Sequence, residues 1–231
     1  MAGIGTLRET GLHAGLKAWY ARAGDEVEAT ADGYVIDILR GDTAIEIQTG
    51  HFSAIKPKLQ ALLANRHVRL VYPIAAERWL VQVERDRGTT LSRRKSPRHG
   101  YAVQVFTPLV SFPELLRHPN FSLEVLLIRE EEVRRPWPRA RRGRRRQWQV
   151  VDRRLVEVVE SQVFNCPADC LALLPAGLPR PFTNRDLSRA LRQPAALAAQ
   201  MTFCLRRMGA LSVAGKQGRA LLHDLALEVS T

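Results

Sequence analysis

The chain has 231 residues, of which 45% are hydrophobic and 25% charged, with a net charge of +12 and a pI of about 10.6. That length allows one large domain or two modest ones, and so basic a balance points to an anionic partner, either nucleic acid or an anionic membrane surface. No apolar run is long enough to span a bilayer, the first residues do not read as a signal peptide, and three cysteines (Cys166, Cys170, Cys204) suit a reducing cytoplasm better than a disulfide framework.

Thr6 to Ala21 predicts an amphipathic helix with Leu12, Leu16 and Trp19 on one stripe, ended by Gly24. GYVIDIL over 33–39 predicts a strand, 40–42 a glycine-containing turn, and TAIEIQ over 43–48 the second strand of a hairpin. Alternation puts Ile45 and Ile47 on one face, Glu46 and Gln48 on the other. Phe52 to Leu63 predicts a second helix with Phe52, Ile55, Leu59 and Leu62 at core spacing, and Val68 to Tyr72 and Trp79 to Val83 predict further strands. This order implies an α/β domain with a mixed central sheet flanked by helices. Leu91 to Gly100 reads as a basic loop and Phe121 to Ile128 as a buried strand.

Composition changes sharply at Arg134 to Arg146, where 8 of 13 residues are arginine and none is acidic. This reads as a solvated linker over 134–150, between a first domain over 1–133 and a second over 151–231. Beyond it the pattern predicts helices from Asp152 to about Val163, from Pro167 to Leu174, from Asn184 to Leu191 behind a Thr183–Asp186 capping box, and from Pro194 to Met208 ended by Gly209. A hairpin with a basic, glycine-rich tip follows over 211–222. Short helix, turn, longer helix and hairpin is the order of a winged helix, so the second domain is expected to be small, mostly helical and winged-helix-like. Cys166 and Cys170 can share a helix face, but no His or Cys cluster surrounds them, so zinc is not expected.

Asp37 and Glu46 each interrupt an apolar strand. A carboxylate there is costly unless it is paired or coordinates something, and two on adjacent strands suit an oxygen-ligated cation such as Mg²⁺. Ile36-Asp37 followed by Glu46-Ile47-Gln48 resembles the PD-(D/E)xK (restriction endonuclease-like) nuclease superfamily over roughly Leu7 to Gln104. The resemblance implies a Mg²⁺- or Mn²⁺-dependent phosphodiesterase with Asp37 and Glu46 as metal ligands. The sequence departs from the pattern twice, with Ile36 in place of proline and Gln48 in place of lysine. The positive charge is then expected from the following helix, on Lys58 or Lys56, with Lys58 favoured. Glu9 is a further carboxylate; resolvase-like members bring a first-helix glutamate to the metal, whereas Thr6-x-x-Glu9 also reads as a capping box. His13 reads as a helix-surface histidine.

Candidate nucleic-acid contacts are Arg93, Arg94, Lys95 and Arg98 in the basic loop, and Arg141, Arg142, Arg144 and Arg145 in the arginine run beside Trp137 and Trp148. Gln200, Arg206 and Arg207 fall on the expected recognition helix, Lys216 and Arg219 on the expected wing. The expected partner is DNA, with RNA left open, no membrane, and a homodimer by analogy with junction-cleaving members. Two alternatives compete with a cytoplasmic metal-dependent endonuclease: an inactive nuclease-fold nucleic-acid-binding protein, and a winged-helix transcription regulator.

Overall fold

The computed structural model describes residues 11–84, 88–136 and 148–226. In chain order the elements are α1 (Gly11–Tyr20), β1 (Glu26–Ala31), β2 (Tyr34–Arg40), β3 (Thr43–Ile47), α2 (Lys56–Leu63), β4 (His67–Val83), β5 (Thr90–Lys95), α3 (Phe106–Leu109), β6 (Phe121–Pro136), β7 (Trp148–Phe164), α4 (Pro167–Leu171), α5 (Asn184–Leu191), α6 (Ala195–Arg207), β8 (Leu211–Gln217) and β9 (Ala220–Leu225).

Seven strands form one mixed sheet in the order β1-β2-β3-β4-β6-β7, with β5 also on β4; β8 and β9 form a separate hairpin. β1, β2 and β3 are an antiparallel meander, and β4 runs parallel to both β3 and β6. One edge of β4 is shared, β3 pairing with its first residues and β5 with its last. The sequence reads as two strands there, Val68 to Tyr72 and Trp79 to Val83, where the structure has one. Pro73 lies beyond the end of β3 and before β5 begins, where the strand has no neighbour on that edge and a missing N–H costs least.

Both faces of the sheet's centre are covered, while β5 and much of β7 are exposed. Leu12, Leu16 and Tyr20 of α1 pack on Ile38, Ile45, Ile47, Val71 and Leu126. The other face carries Leu59 and Leu62 of α2, Phe106 of α3, and Met201 and Leu205 of α6 in one cluster with Ile36, Leu70 and Leu123. The expected mixed sheet between helices is therefore present, and the C-terminal helices share its core. Among the described residues no helix is long and apolar enough to cross a membrane.

Several expectations need correction. Asp152 to Val163 is not a helix but the middle of β7, paired with β6 from end to end. Six valines lie between 150 and 163, and β-branched side chains fit a pleated surface better than a helix. The stripe of α1 continues to Tyr20 rather than Trp19, which is exposed; the Tyr20 hydroxyl donates to buried Glu124 at 2.5 Å. The basic loop begins only after Lys95, since Arg93, Arg94 and Lys95 belong to β5. Residues 134–136 and 148–150, expected as the ends of a linker, pair with one another as β6 and β7. The rest of that stretch, with Arg141, Arg142, Arg144 and Arg145, lies outside the described residues. β1 was not expected, because EVEATA has little apolar alternation.

Candidate functional site

Asp37 sits where the meander is irregular. Val27 pairs with Ile38 and Ala29 with Ile36, but Glu28 and Asp37, opposite each other in between, form no ladder pair. Glu28 has a left-handed φ of 55°, and the β2–β3 ladder begins only at Ile38. Across this break β2 changes face: Ile36 joins the core under α2 and Ile38 the core under α1. Such irregularities re-aim a side chain. The Asp37 carboxylate takes the place of the missing ladder, its Oδ2 accepting from the Ile47 N–H at 2.8 Å and lying 3.2 Å from Nε2 of His13 on α1.

Glu46 precedes Ile47 and points to the α2 side of the sheet, opposite Ile45 and Ile47. It is 3% exposed. Lys58, on the helix that follows the hairpin, reaches Glu46 Oε1 at 2.5 Å and donates to the Val35 carbonyl at 2.6 Å. Lys56 goes elsewhere, donating to the Ser111 carbonyl at 3.4 Å. Gln48 donates its amide to the His51 carbonyl at 3.1 Å. The fold thus pairs Glu46 with Lys58, within electrostatic reach of Asp37, and leaves Lys56 out. Glu9 lies outside the described residues.

The two carboxylates are driven apart in acidity. Burial pushes Glu46 up to about 7; Lys58 opposes the rise and the charge of Asp37 adds to it. Burial also works on Asp37, but His13, the Ile47 N–H and Lys58 outweigh it and hold that carboxyl below its ordinary value. One acid is firmly ionised and its neighbour is poised near neutrality, a division of roles typical of acid–base sites. Among the described residues no group of three or more His, Cys, Asp and Glu could hold a metal ion. Asp37 and Glu46 are hard oxygen donors of the kind that hold Mg²⁺, and in the structure one oxygen of each is already engaged, by His13 and the Ile47 N–H and by Lys58.

His13 is the site residue that sequence reasoning missed. Leu12 and Leu16 mark the buried stripe of α1, and His13 lies on its flank, where spacing alone does not separate solvent from site. Only the register of α1 over Asp37 assigns it.

The nucleic-acid candidates are dispersed. Arg93 pairs with Glu131 at 2.7 Å and Lys95 with Glu77 at 2.6 Å, both cations lying over the Trp79 ring. Arg94 is exposed on β5, and Arg98 lies in the loop beyond it. On α6, Arg207 Nε donates to Glu114 at 2.7 Å, Gln200 accepts from Thr107 at 2.9 Å, and Arg206 is half-buried. The expected recognition face is thus tied to α3 and to the turn at 113–117. Lys216 and Arg219 are exposed at the β8–β9 tip. Cys170 and Cys204 are free thiols buried in the core, and burial pushes Cys204 up to about 12.

The chain belongs to the family described as "Domain of unknown function (DUF8091)", whose model matches residues 10–165, from the start of α1 through β7. It is also 31% identical, over 221 residues, to a protein of Treponema pallidum (strain Nichols) described as "Uncharacterized protein", covering 95% of this chain and 86% of that relative. No solved structure matches the chain.

Proposed function

We propose that this protein is a metal-dependent endonuclease of the PD-(D/E)xK type acting on DNA. The observation that carries the reading is the Lys58–Glu46 pair at 2.5 Å. The sequence lacks the motif lysine at Gln48, and a lysine from the next helix supplies a cation beside the same carboxylates. The element order, a helix, a hairpin, a helix and then strands, supports the reading too.

Asp37 and Glu46 would hold Mg²⁺ or Mn²⁺, which when bound polarises the phosphodiester and acidifies water. Asp37 remains ionised because His13 and the Ile47 N–H fix it. Glu46, raised to about 7 without metal, must give up its proton to bind the cation, so metal loading should strengthen as pH rises through that value. Lys58 stabilises negative charge developing on the phosphate. The order α5, α6, β8, β9 supports a winged-helix-like unit whose tip, Lys216 and Arg219, contacts the phosphate backbone without reading sequence.

The test is cleavage of duplex, branched and single-stranded DNA, and of RNA, by the full chain with Mg²⁺ or Mn²⁺. Cleavage is expected, and Asp37→Ala or Glu46→Ala should abolish it with folding intact. Cleavage surviving both changes, or absent from every substrate, would overturn the proposal. A second reading, a nucleic-acid-binding protein without catalysis, draws on the fact that both carboxylates already have partners within the chain, His13 and Lys58. It predicts nucleic-acid binding with no metal uptake in a calorimetric titration.

A further inference from the structure

From the acid pair, β4 leads to a second feature. In the parallel register Glu46 lies beside Leu70, and Tyr72 and Ile74 follow on the same face, packed with the core under α2. At about 3.3 Å per residue they lie roughly 7 to 13 Å along the strand from Glu46. A cleft of about 390 Å³ opens there, and its polar lining is Tyr72, Arg78, Arg98, His99 and Gln104. That volume lies near the lower end of small-ligand pockets, room for a phosphate with its sugar.

The cleft is built by a bulge and a folded-back loop. The β4–β6 ladder shifts between Ala75 and Glu77. Over this bulge the Ser96 N–H donates to the Arg78 carbonyl at 2.7 Å, the Gly100 N–H to the Ala75 carbonyl at 3.0 Å, and Nδ1 of His99 to the Ala76 carbonyl at 3.2 Å. Glycine is needed at position 100, where a Cβ would meet the Ala75 carbonyl oxygen at 2.5 Å and Ile74 Cγ2 at 2.7 Å.

The charges divide into a fixed set and a free one. Arg78 is anchored by Glu130 at 2.5 Å and Glu132 at 3.1 Å, and fully buried Glu130 also takes Arg153 at 2.7 Å. Arg98 is exposed, its backbone N–H donating to Ser96 Oγ at 3.2 Å; among the described residues its guanidinium has no carboxylate partner. None of the lining residues is acidic. Arginine forks, a phenol and an amide facing one space form a donor-rich site for a tetrahedral oxyanion.

We infer that this cleft is a phosphate subsite. Resting on the nuclease reading, it holds a backbone phosphate of the bound nucleic acid to one side of the bond that is cut. Arg98 closes on the phosphate, while Arg78 and Tyr72 form the back wall. Free phosphate shares the same chemistry, so the test separates the two sources.

The experiment compares the full chain with its Arg98→Gln and Arg98→Lys variants, without metal. In one arm inorganic phosphate replaces chloride at matched ionic strength. The thermal midpoint of the wild type should rise by about 2–4 °C at near-saturating phosphate, that of R98K by less, and that of R98Q not at all. In the other arm a labelled DNA oligonucleotide is titrated at several salt concentrations, and R98Q should bind more weakly with a salt slope reduced by about one phosphate contact. Equal behaviour of R98Q and wild type in both arms overturns the subsite. A phosphate response with an unchanged DNA slope overturns the nucleic-acid source. An Arg98-dependent phosphate response in a protein that cleaves nothing keeps the anion site and removes the nuclease reading alone.

Discussion

Glu46 and Lys58 are the residues on which the most can be measured. In the unfolded chain Glu46 loses its proton near its ordinary value of 4.5, while in the fold it keeps the proton to about 7. Between these values the folded protein binds the extra proton, so stability falls as pH rises through the window and levels off above about 7. A shift of this size corresponds to at most about 3 kcal/mol. Urea unfolding of wild type and Glu46→Gln at pH 5 and pH 8 should show the fall in the wild type and its loss in the variant; equal slopes would mean that the carboxyl titrates normally. Asp37 behaves oppositely, its contribution being in place above the ordinary carboxylate range and lost as pH falls. Lys58→Met should lower cleavage at least 100-fold, whereas Lys56→Met, whose ammonium binds the Ser111 carbonyl, should leave it near wild type. Asp37 and Glu46 were legible in the sequence because a charge inside an apolar strand asks for a reason. Lys58 was legible only as one of two candidates, since helical phase relative to the sheet decides between residues two apart. His13 was not legible at all.

At the scale of elements, the hairpin, both early helices and the capped helix α5 follow from local signals. Thr183 accepts from the Asp186 N–H while the Asp186 carboxylate takes the Thr183 N–H, the reciprocal arrangement expected from the sequence. Thr183→Ala should therefore cost about 1 kcal/mol in a denaturant titration, and Thr183→Ser much less. β7 was misread for a physical reason: its hydrophobic spacing is irregular because three register shifts interrupt its ladder with β6, so neither a period of two nor one of 3.6 is clean. Its identity as a strand comes from its partner. Gly100 is similar, since nothing in its neighbours announces that a backbone must pass over the bulge of β4. Gly100→Ala should displace the loop and abolish the phosphate response while leaving the acid pair of β2 and β3 in place.

For the whole molecule, one core cluster joins the sheet to α5 and α6 through Leu187, Leu197, Met201 and Leu205. A break in composition at the arginine run suggested two folding units, but the apolar contacts cross it. Calorimetry of the full chain should therefore show one unfolding transition, and a chain ending at residue 165 should expose Phe106 and its neighbours and lose cooperative melting; two resolved transitions would restore an independent C-terminal domain. The central strand carries a last consequence. β4 pairs in parallel with β6 over most of its length, yet the segment from 84 to 120 separates them. Parallel neighbours cannot be joined by a tight turn, and distant pairings delay folding because loop entropy is lost before contacts are gained. During synthesis β4 emerges well before its partner, so its unpaired edge stays open until β6 follows. Refolding of this protein should be slow and prone to association in proportion to concentration, whatever its final stability.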